Sequence, residues 1–505
     1  MARAVLLARQ GGRREVLARS GRALVLAALL VSGVWLVTGG RSLWFDELFA
    51  LHAALRPWGD FVRFVRDHDA HPPAYYLLLR AWTAVFGISE LSLRALSVVL
   101  AVTTLAILRA TVRSRLGEDA AAAAVLALGA SPLFLQAATE ATRYALLTLL
   151  YWAAARDAAS AVEGNARFPW RLAVLGTLLL YTHYFGAVLV ASLAAFAWWE
   201  GGRRGLRTAA AAFSVSGVLF APWLPVLWHH LSAGRFDPPW RPALPATLPL
   251  QVLHVVGFGG RVGGTASYFS ASQAPVWVEV ALAVPVALVV GTGLRVLWER
   301  SPGLARLAAC SAGLPAAALL GVSLVRQSMV AYPRYLVFAL PFLAVAVGSL
   351  SGGLSTRGSR VLAACCGAAL VALSVGSLGL WGSNLTEGMG DRRALAAQLR
   401  ARLQAGDAVL VYPRWESAGL EYYVPELRDR YVALRSEWTD RGLRELREQI
   451  RVAANAGRVW VVQGFPIPPV AFEAVYRQLA RTHRVAYFGE FDGLRLTLFV
   501  RRAAR

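Results

Sequence analysis

The sequence predicts a polytopic α-helical membrane protein that ends in a soluble α/β domain. Three observations predict it. Of 505 residues, 57% are hydrophobic and 16% charged, with a mean hydropathy of +0.48, too apolar for an ordinary soluble chain. Long apolar runs recur through the first 385 positions. From about Asp391 the pattern changes, and helical segments at 392–403 and 441–454 alternate with β-rich runs at 408–412, 458–463, 485–488 and 494–500.

The apolar runs lie at 23–38, 91–112, 120–138, 144–161, 171–184, 186–199, 208–228, 276–298, 304–325, 335–350 and 361–381. They make about eleven spans at roughly 20 residues each. The arginine cluster before Ala23 has the look of a signal peptide. No A-x-A site follows the first run, and many more spans come after it, so it reads as a first transmembrane helix. Arg3, Arg9, Arg13, Arg14, Arg19 and Arg22 precede that run. Alternate loops carry Arg113/Arg115, Arg156/Arg167, Arg203/Arg204/Arg207, Arg295/Arg300/Arg306 and Arg357/Arg360. With eleven spans these loops share one side, and the positive-inside rule makes it cytoplasmic in a plasma (inner) membrane protein. The division is then a transmembrane domain over 1–385 with an extracytoplasmic loop over 39–89, and a soluble extracytoplasmic domain over 386–505.

The net charge of +22 does not indicate nucleic acid, because the arginines are spread between apolar runs rather than along one face. There is no lysine. Cys310, Cys365 and Cys366 all sit in apolar runs with no metal-ligand spacing and read as packing residues. Gly257 to Gly264 matches neither GxGxxG nor GxxxxGK[ST] and reads as a loop.

Within the 39–89 loop two short amphipathic helices are expected. In the second, Trp58, Phe61, Val62 and Val65 share a face opposite Asp60, Arg63, Arg66 and Asp67, the pattern of a helix lying in the membrane interface. Adjacent carboxylates Asp46-Glu47 at one end of the loop, and Asp69-Ala70-His71-Pro72-Pro73 further along it, are costly to place beside lipid and point to an active site. Further constellations fall on the same side: Glu140 with Arg143 and Tyr144, Tyr181-Thr182-His183-Tyr184, and Arg334-Tyr335. Interfacial Arg and Tyr ordinarily snorkel or anchor, and a lone His at a helix end ordinarily packs. Convergence of acids, cations and histidines on one face is what marks a site. Asp67-x-Asp69 has the form of a metal-holding acidic pair, although such acids on an interfacial helix are more commonly solvated.

These residues resemble those of GT-C membrane glycosyltransferases, in the group of bacterial protein-O-mannosyltransferase-like and aminoarabinose-transferase-like enzymes. The resemblance rests on Trp44-Phe45-Asp46-Glu47, Asp69-Ala70-His71-Pro72-Pro73-Ala74-Tyr75-Tyr76, Ser131-Pro132 with Glu140-Ala141-Thr142-Arg143-Tyr144, Tyr181-Thr182-His183-Tyr184 and Pro333-Arg334-Tyr335. It implies inverting transfer of a sugar from a polyprenyl-phosphate donor, at the outer face, to an acceptor that is a protein, a lipid or a cell-envelope glycan. It assigns the base to Asp46 and a second acid to Glu140; Glu47, about 100° away from Asp46 on a helix, cannot share that role and takes a supporting hydrogen-bonding or metal role. His71, Arg143, Tyr144, Arg334, Tyr335, His183 and Asp69 are left to bind donor phosphate or substrate. A divalent metal ion is left open, with Asp69, His71 and His183 as candidate ligands. The residue types suit this chemistry in their own right: a carboxylate takes the acceptor proton and Arg forks stabilise the departing phosphate.

A flippase or transporter for a lipid or a lipid-linked sugar is the rival reading. It expects ionisable groups deep in spans and repeated halves, whereas here the acids cluster at span ends. Topology has a direct check. A reporter active only outside the cytoplasm, fused after Arg505, is expected to be active; activity of a cytoplasm-only reporter there would mean an odd error in the span count.

Overall fold

The computed structural model describes residues 2–164, 169–233, 276–325, 333–351, 390–428, 430–434, 440–464 and 475–503. The run at 361–381 with Cys365 and Cys366, and the glycine-rich stretch at 257–264, lie outside them. The chain forms two compact units: Met1–Gly39 with Arg56–Trp381, and Gly40–Leu55 with Gly382–Arg505.

The first unit is helical. It comprises α1 (Ala2–Thr38), then, after the stretch that belongs to the second unit (where α2, Phe45–Ala54, lies), α3 (Trp58–His68), α4 (Ala74–Phe86), α5 (Glu90–Leu116), α6 (Glu118–Gly129), α7 (Pro132–Thr139), α8 (Tyr144–Val162), α9 (Trp170–Thr182), α10 (Gly186–Phe220), α11 (Leu224–Ser232), α12 (Val276–Arg300), α13 (Pro302–Ala308), α14 (Leu314–Val325) and α15 (Leu340–Ser349). Among the described residues, four stretches are long and apolar enough to cross a membrane: Arg19–Thr38, Glu90–Leu116, Gly186–Ser232 and Pro302–Val325. A bent pair, α6 with α7, makes a fifth if it is one span. Helix α3 buries Phe61 and Val65 and exposes Trp58 and Val62, a narrower buried stripe than the sequence pattern suggests.

Local chemistry explains where the helices break. The sequence reads 120–138 as one run; the structure breaks it, with the two axes 64° apart. Pro132 lacks an N–H and disfavours a helical residue before it, and Ser131 is extended at φ −66°, ψ 120°. Helix α10 turns at Gly202, whose φ of 56° suits glycine and separates the two runs read at 186–199 and 208–228. A π segment at Ala309–Gly313 precedes Pro315. The proline cannot donate to Ser311 O four residues back, and Tyr151 Oη donates to that carbonyl at 2.9 Å instead. Small residues bring helices together: a Cβ on Gly348 would stand 2.6 Å from Ala120 O.

The second unit is a sheet domain that also takes in 40–55, and so helix α2, a stretch that the sequence division assigns to the membrane domain. Strands β1 (Ala408–Tyr412), β2 (Val432–Ala433), β3 (Arg458–Gln463), β4 (His483–Phe491) and β5 (Leu494–Arg501) lie in the order β2-β1-β3-β5-β4. The first three are parallel, and β5 is antiparallel to both β3 and β4. Helices α16 (Arg392–Arg402), α17 (Ser417–Tyr423) and α18 (Asp440–Ala453) pack with it. Leu446 and Ile450 of α18 join Leu410, Val459, Val461 and Phe499 in one core. The alternating helical and β-rich runs are thus found where the sequence places them; β2 and α17 have no sequence signal of their own.

A buried ion pair holds this unit. Arg392 Nε and Nη2 donate to the two carboxylate oxygens of Glu416 at 2.9 and 2.8 Å, and Gly464 leaves the room that the Glu416 side chain fills. Removing one partner of a buried pair leaves a charge uncompensated, at a cost of about 3–5 kcal/mol. Arg392→Ala is therefore expected to lower the thermal stability of the protein by that order. A double change to Met at 392 and Leu at 416 is expected to recover most of the loss.

Candidate active site

The site in the first unit is made from helix ends. Asp69 caps the C-terminus of α3, Tyr76 lies in the first turn of α4, and Glu140–Arg143 forms the link between α7 and α8. His183 caps α9, and Arg334 and Tyr335 lie in a 3-10 turn over Pro333–Ala339. Helix ends carry unpaired backbone groups, so the side chains there are bound into the backbone as well as into one another.

Asp69 is the centre. Its Oδ1 accepts from Ala70 N at 2.7 Å and from His71 Nδ1 at 2.9 Å, and its Oδ2 accepts from the Tyr76 hydroxyl. That hydroxyl in turn accepts from Arg143 Nη2 at 2.9 Å. Burial alone would raise the Asp69 pKa. The neighbouring His71 and Arg143, with the hydrogen bonds from His71 and Tyr76, outweigh burial and hold it down at about 2.

Beside this chain stand the remaining predicted binding residues. The His71 and His183 rings meet edge to face at 5.2 Å between centroids. Arg334 lies 5.4 Å above the Tyr144 ring and 5.8 Å from that of Tyr335. His183 Nδ1 accepts from Phe185 N at 3.1 Å, so the proton of the neutral ring is on Nε2. That Nε2 is buried and has no hydrogen-bond partner among the described residues. Two guanidiniums and an imidazole donor in one cluster suit an anion bearing several oxygens.

The structure therefore brings together Asp69, His71, Arg143, Tyr144, His183, Arg334 and Tyr335. Glu140 is buried; its carboxylate accepts from Gln136 Nε2 at 2.9 Å and its carbonyl from Ser97 Oγ at 2.6 Å. Asp46 and Glu47 belong to the second unit, in the first turn of α2. Glu47 is buried, and its carboxylate accepts from Trp44 N at 3.1 Å, while Asp46 is half-buried.

Two features have no sequence signal. Tyr76 bridges Asp69 and Arg143, which only the turn of α4 reveals. His230, which lies beyond the apolar run read at 208–228, is in α11; its Nε2 donates to Arg66 O at 3.0 Å and its Nδ1 accepts from Tyr184, which accepts from Trp223. Ala70 N bonds the Asp69 side chain, so His230 supplies the partner that Arg66 O would otherwise lack.

The metal reading finds no matching geometry. Among the described residues, no three His, Cys, Asp or Glu side chains gather to hold an ion. Both oxygens of Asp69 and the Nδ1 of His183 are already engaged. Asp67 pairs with Arg66 at 2.7 Å.

The fold is of the GT-C type. Residues 70–229 match the family model of the dolichyl-phosphate-mannose-protein mannosyltransferases, a stretch that contains His71, Tyr76, Glu140, Arg143, Tyr144 and His183. The fold is similar to that of ArnT from Cupriavidus metallidurans bound to undecaprenyl phosphate, at 16% identity and a TM-score of 0.55, covering 94% of this chain and 97% of that one. It is also similar to the oligosaccharyltransferase AglB from Archaeoglobus fulgidus in complex with an inhibitory peptide and a dolichol-phosphate. There the identity is 12% and the TM-score 0.51, over 94% of this chain and 74% of that one. The Archaeoglobus fulgidus oligosaccharyltransferase in complex with zinc and sulfate matches at 13% identity and a TM-score of 0.50, over 93% and 72%. No curated protein matches the sequence. The resemblance read from the motifs therefore stands.

Tyr76→Phe removes the hydroxyl that Asp69 and Arg143 share. It is expected to cost about 1–3 kcal/mol in thermal unfolding, the range for leaving a buried polar group unpaired. Since the Asp69 pKa is depressed, its contribution is full above the unfolded carboxyl range near ~4 and is lost as pH falls through about 2. The difference between Tyr76→Phe and wild type is therefore expected to be the same at pH 5 and pH 7.

Proposed function

We propose that this protein is an inverting glycosyltransferase that moves a sugar from a polyprenyl-phosphate donor to an extracytoplasmic acceptor. The observation that carries the proposal is the cluster of buried Arg143 and Asp69 with half-buried His71, His183 and Arg334, within a GT-C fold. A lipid-linked phosphate suits such a cluster, and the similar ArnT and AglB structures hold undecaprenyl phosphate and a dolichol-phosphate. The fold and the family match favour transfer over the flippase reading.

In the proposed reaction the acceptor hydroxyl attacks the anomeric carbon from the face opposite the lipid phosphate. The bond from that carbon to the phosphate oxygen breaks, and the departing phosphate keeps the electron pair. Arg143, steadied by Tyr76, and Arg334, stacked on Tyr144, offer N–H groups to the growing charge. His183 offers its Nε2–H and needs no protonation to do so. Asp46 takes the acceptor proton. Glu47 supports it indirectly, because its own carboxylate is used at the start of α2. We place about eleven spans in the membrane domain, with the donor site and the C-terminal domain on the extracytoplasmic side.

Two sets of variants test this. Arg143→Lys and Arg334→Lys keep charge and lose the planar fork, so each is expected to lose most transfer while the protein still inserts and purifies. Asp46→Asn is expected to keep donor binding and lose turnover by ~10²–10⁴-fold in a single-turnover assay at saturating donor, with Glu47→Gln losing less. Wild-type turnover in Asp46→Asn with an inactive Glu140→Gln would move the base to Glu140.

A further inference from the structure

The helix that carries Asp46 is short. Helix α2 has ten residues, and the capping contact named for its first turn is local, from Trp44 N to the Glu47 carboxylate at 3.1 Å. Isolated helices below about 12–15 residues are marginal in water, so α2 depends on what packs against it. All the packing described for it within the second unit comes from residues beyond 389.

At its entry, Ser42 Oγ donates to Gly390 O at 3.0 Å and accepts from Arg392 N at 3.2 Å. Arg393 Nη1 donates to Gly40 O at 2.8 Å, and Leu43 N donates to the Tyr423 hydroxyl at 2.6 Å. Next to Asp46, the Phe45 ring meets Trp415 edge-on at 6.0 Å. Midway, Leu48 lies against Gly419, where a Cβ would stand 3.4 Å from Leu48 Cδ1 and 2.8 Å from Arg392 Cδ. In the last turn, His52 Nδ1 stands 3.3 Å from Glu421 Oε2, and Glu421 is itself held by the Tyr431 hydroxyl. The backbone at Leu43 is thus fixed three residues before Asp46, and the ring at Phe45 one residue before it.

We propose that the C-terminal domain folds and aims α2, which makes Tyr423 and Trp415 positioning residues for the Asp46 carboxylate. This gives the domain a role in the reaction that requires no ligand of its own. The proposal rests on the reading of Asp46 as the base, and the experiment separates the two.

Tyr423→Phe removes only the hydroxyl that holds Leu43 N, and Trp415→Leu removes the ring against Phe45. In each full-length variant, amide hydrogen exchange over 43–54, single-turnover rate at saturating donor, and donor affinity are measured. Exchange over 43–54 is expected to rise about tenfold or more, with little change over β1 and β3, since local opening need not involve the sheet. Turnover is expected to fall about 10–100-fold, as for a misplaced catalytic group, while donor affinity stays within about twofold. In an Asp46→Asn background the turnover loss from Tyr423→Phe is expected to vanish, because the two act through one carboxylate. Unchanged exchange over 43–54 in both variants overturns the proposal whatever Asp46 does. Raised exchange with unchanged turnover, in an enzyme that Asp46→Asn inactivates, overturns it too. Full activity of Asp46→Asn alone defeats the base reading instead.

Discussion

A carboxylate buried in a membrane protein has to be answered on each oxygen, and the first unit is built around that demand at Asp69. Removing an ion from water costs several kcal/mol even after relaxation. Here Ala70 N, His71 and Tyr76 meet the two oxygens, and Arg143 is tied in through Tyr76. Each of these groups acquires a fixed place by answering Asp69. The carboxylate thereby orients an imidazole and a guanidinium that have no contact with each other in sequence.

The same demand explains why the site lies at helix ends. The last turn of α3 leaves carbonyls unpaired, and His230 takes that of Arg66, which frees Ala70 N to bind the Asp69 side chain. The break at Ser131-Pro132 turns the chain so that α7 ends at Thr139 and the Glu140–Arg143 link begins. Proline and glycine thus shape the membrane unit twice, once by ending helices and once by forcing side chains such as Tyr151 to satisfy the carbonyls they orphan.

The second unit follows a different logic. It has an aqueous-type core of alternating strand residues and one buried, bidentate ion pair, and it takes in a short helix from the first loop. A ten-residue helix gains its stability from tertiary packing rather than propensity. Glu47 shows the consequence: an acid beside the proposed base is fully buried in starting the helix, and the neighbouring Asp46 is left more open.

Much of this is written locally in the chain. Apolar length, arginine spacing, the change of pattern near Asp391 and the run of motifs from Trp44 to Tyr335 specify a helical membrane protein with a sheet domain and identify most of the clustered residues. They do so because periodicity and helix-breaking chemistry act over a few residues. The sequence by itself did not determine which unit owns α2, that Tyr76 joins Asp69 to Arg143, or which nitrogen of His183 carries the proton. The first two depend on partners between 7 and 380 positions away, in pairs such as Tyr76 with Asp69 and Tyr423 with Leu43, and the third on how the chain turns to bring Phe185 N to the ring. Only the folded chain, where burial forces each polar group to find a partner, decides them.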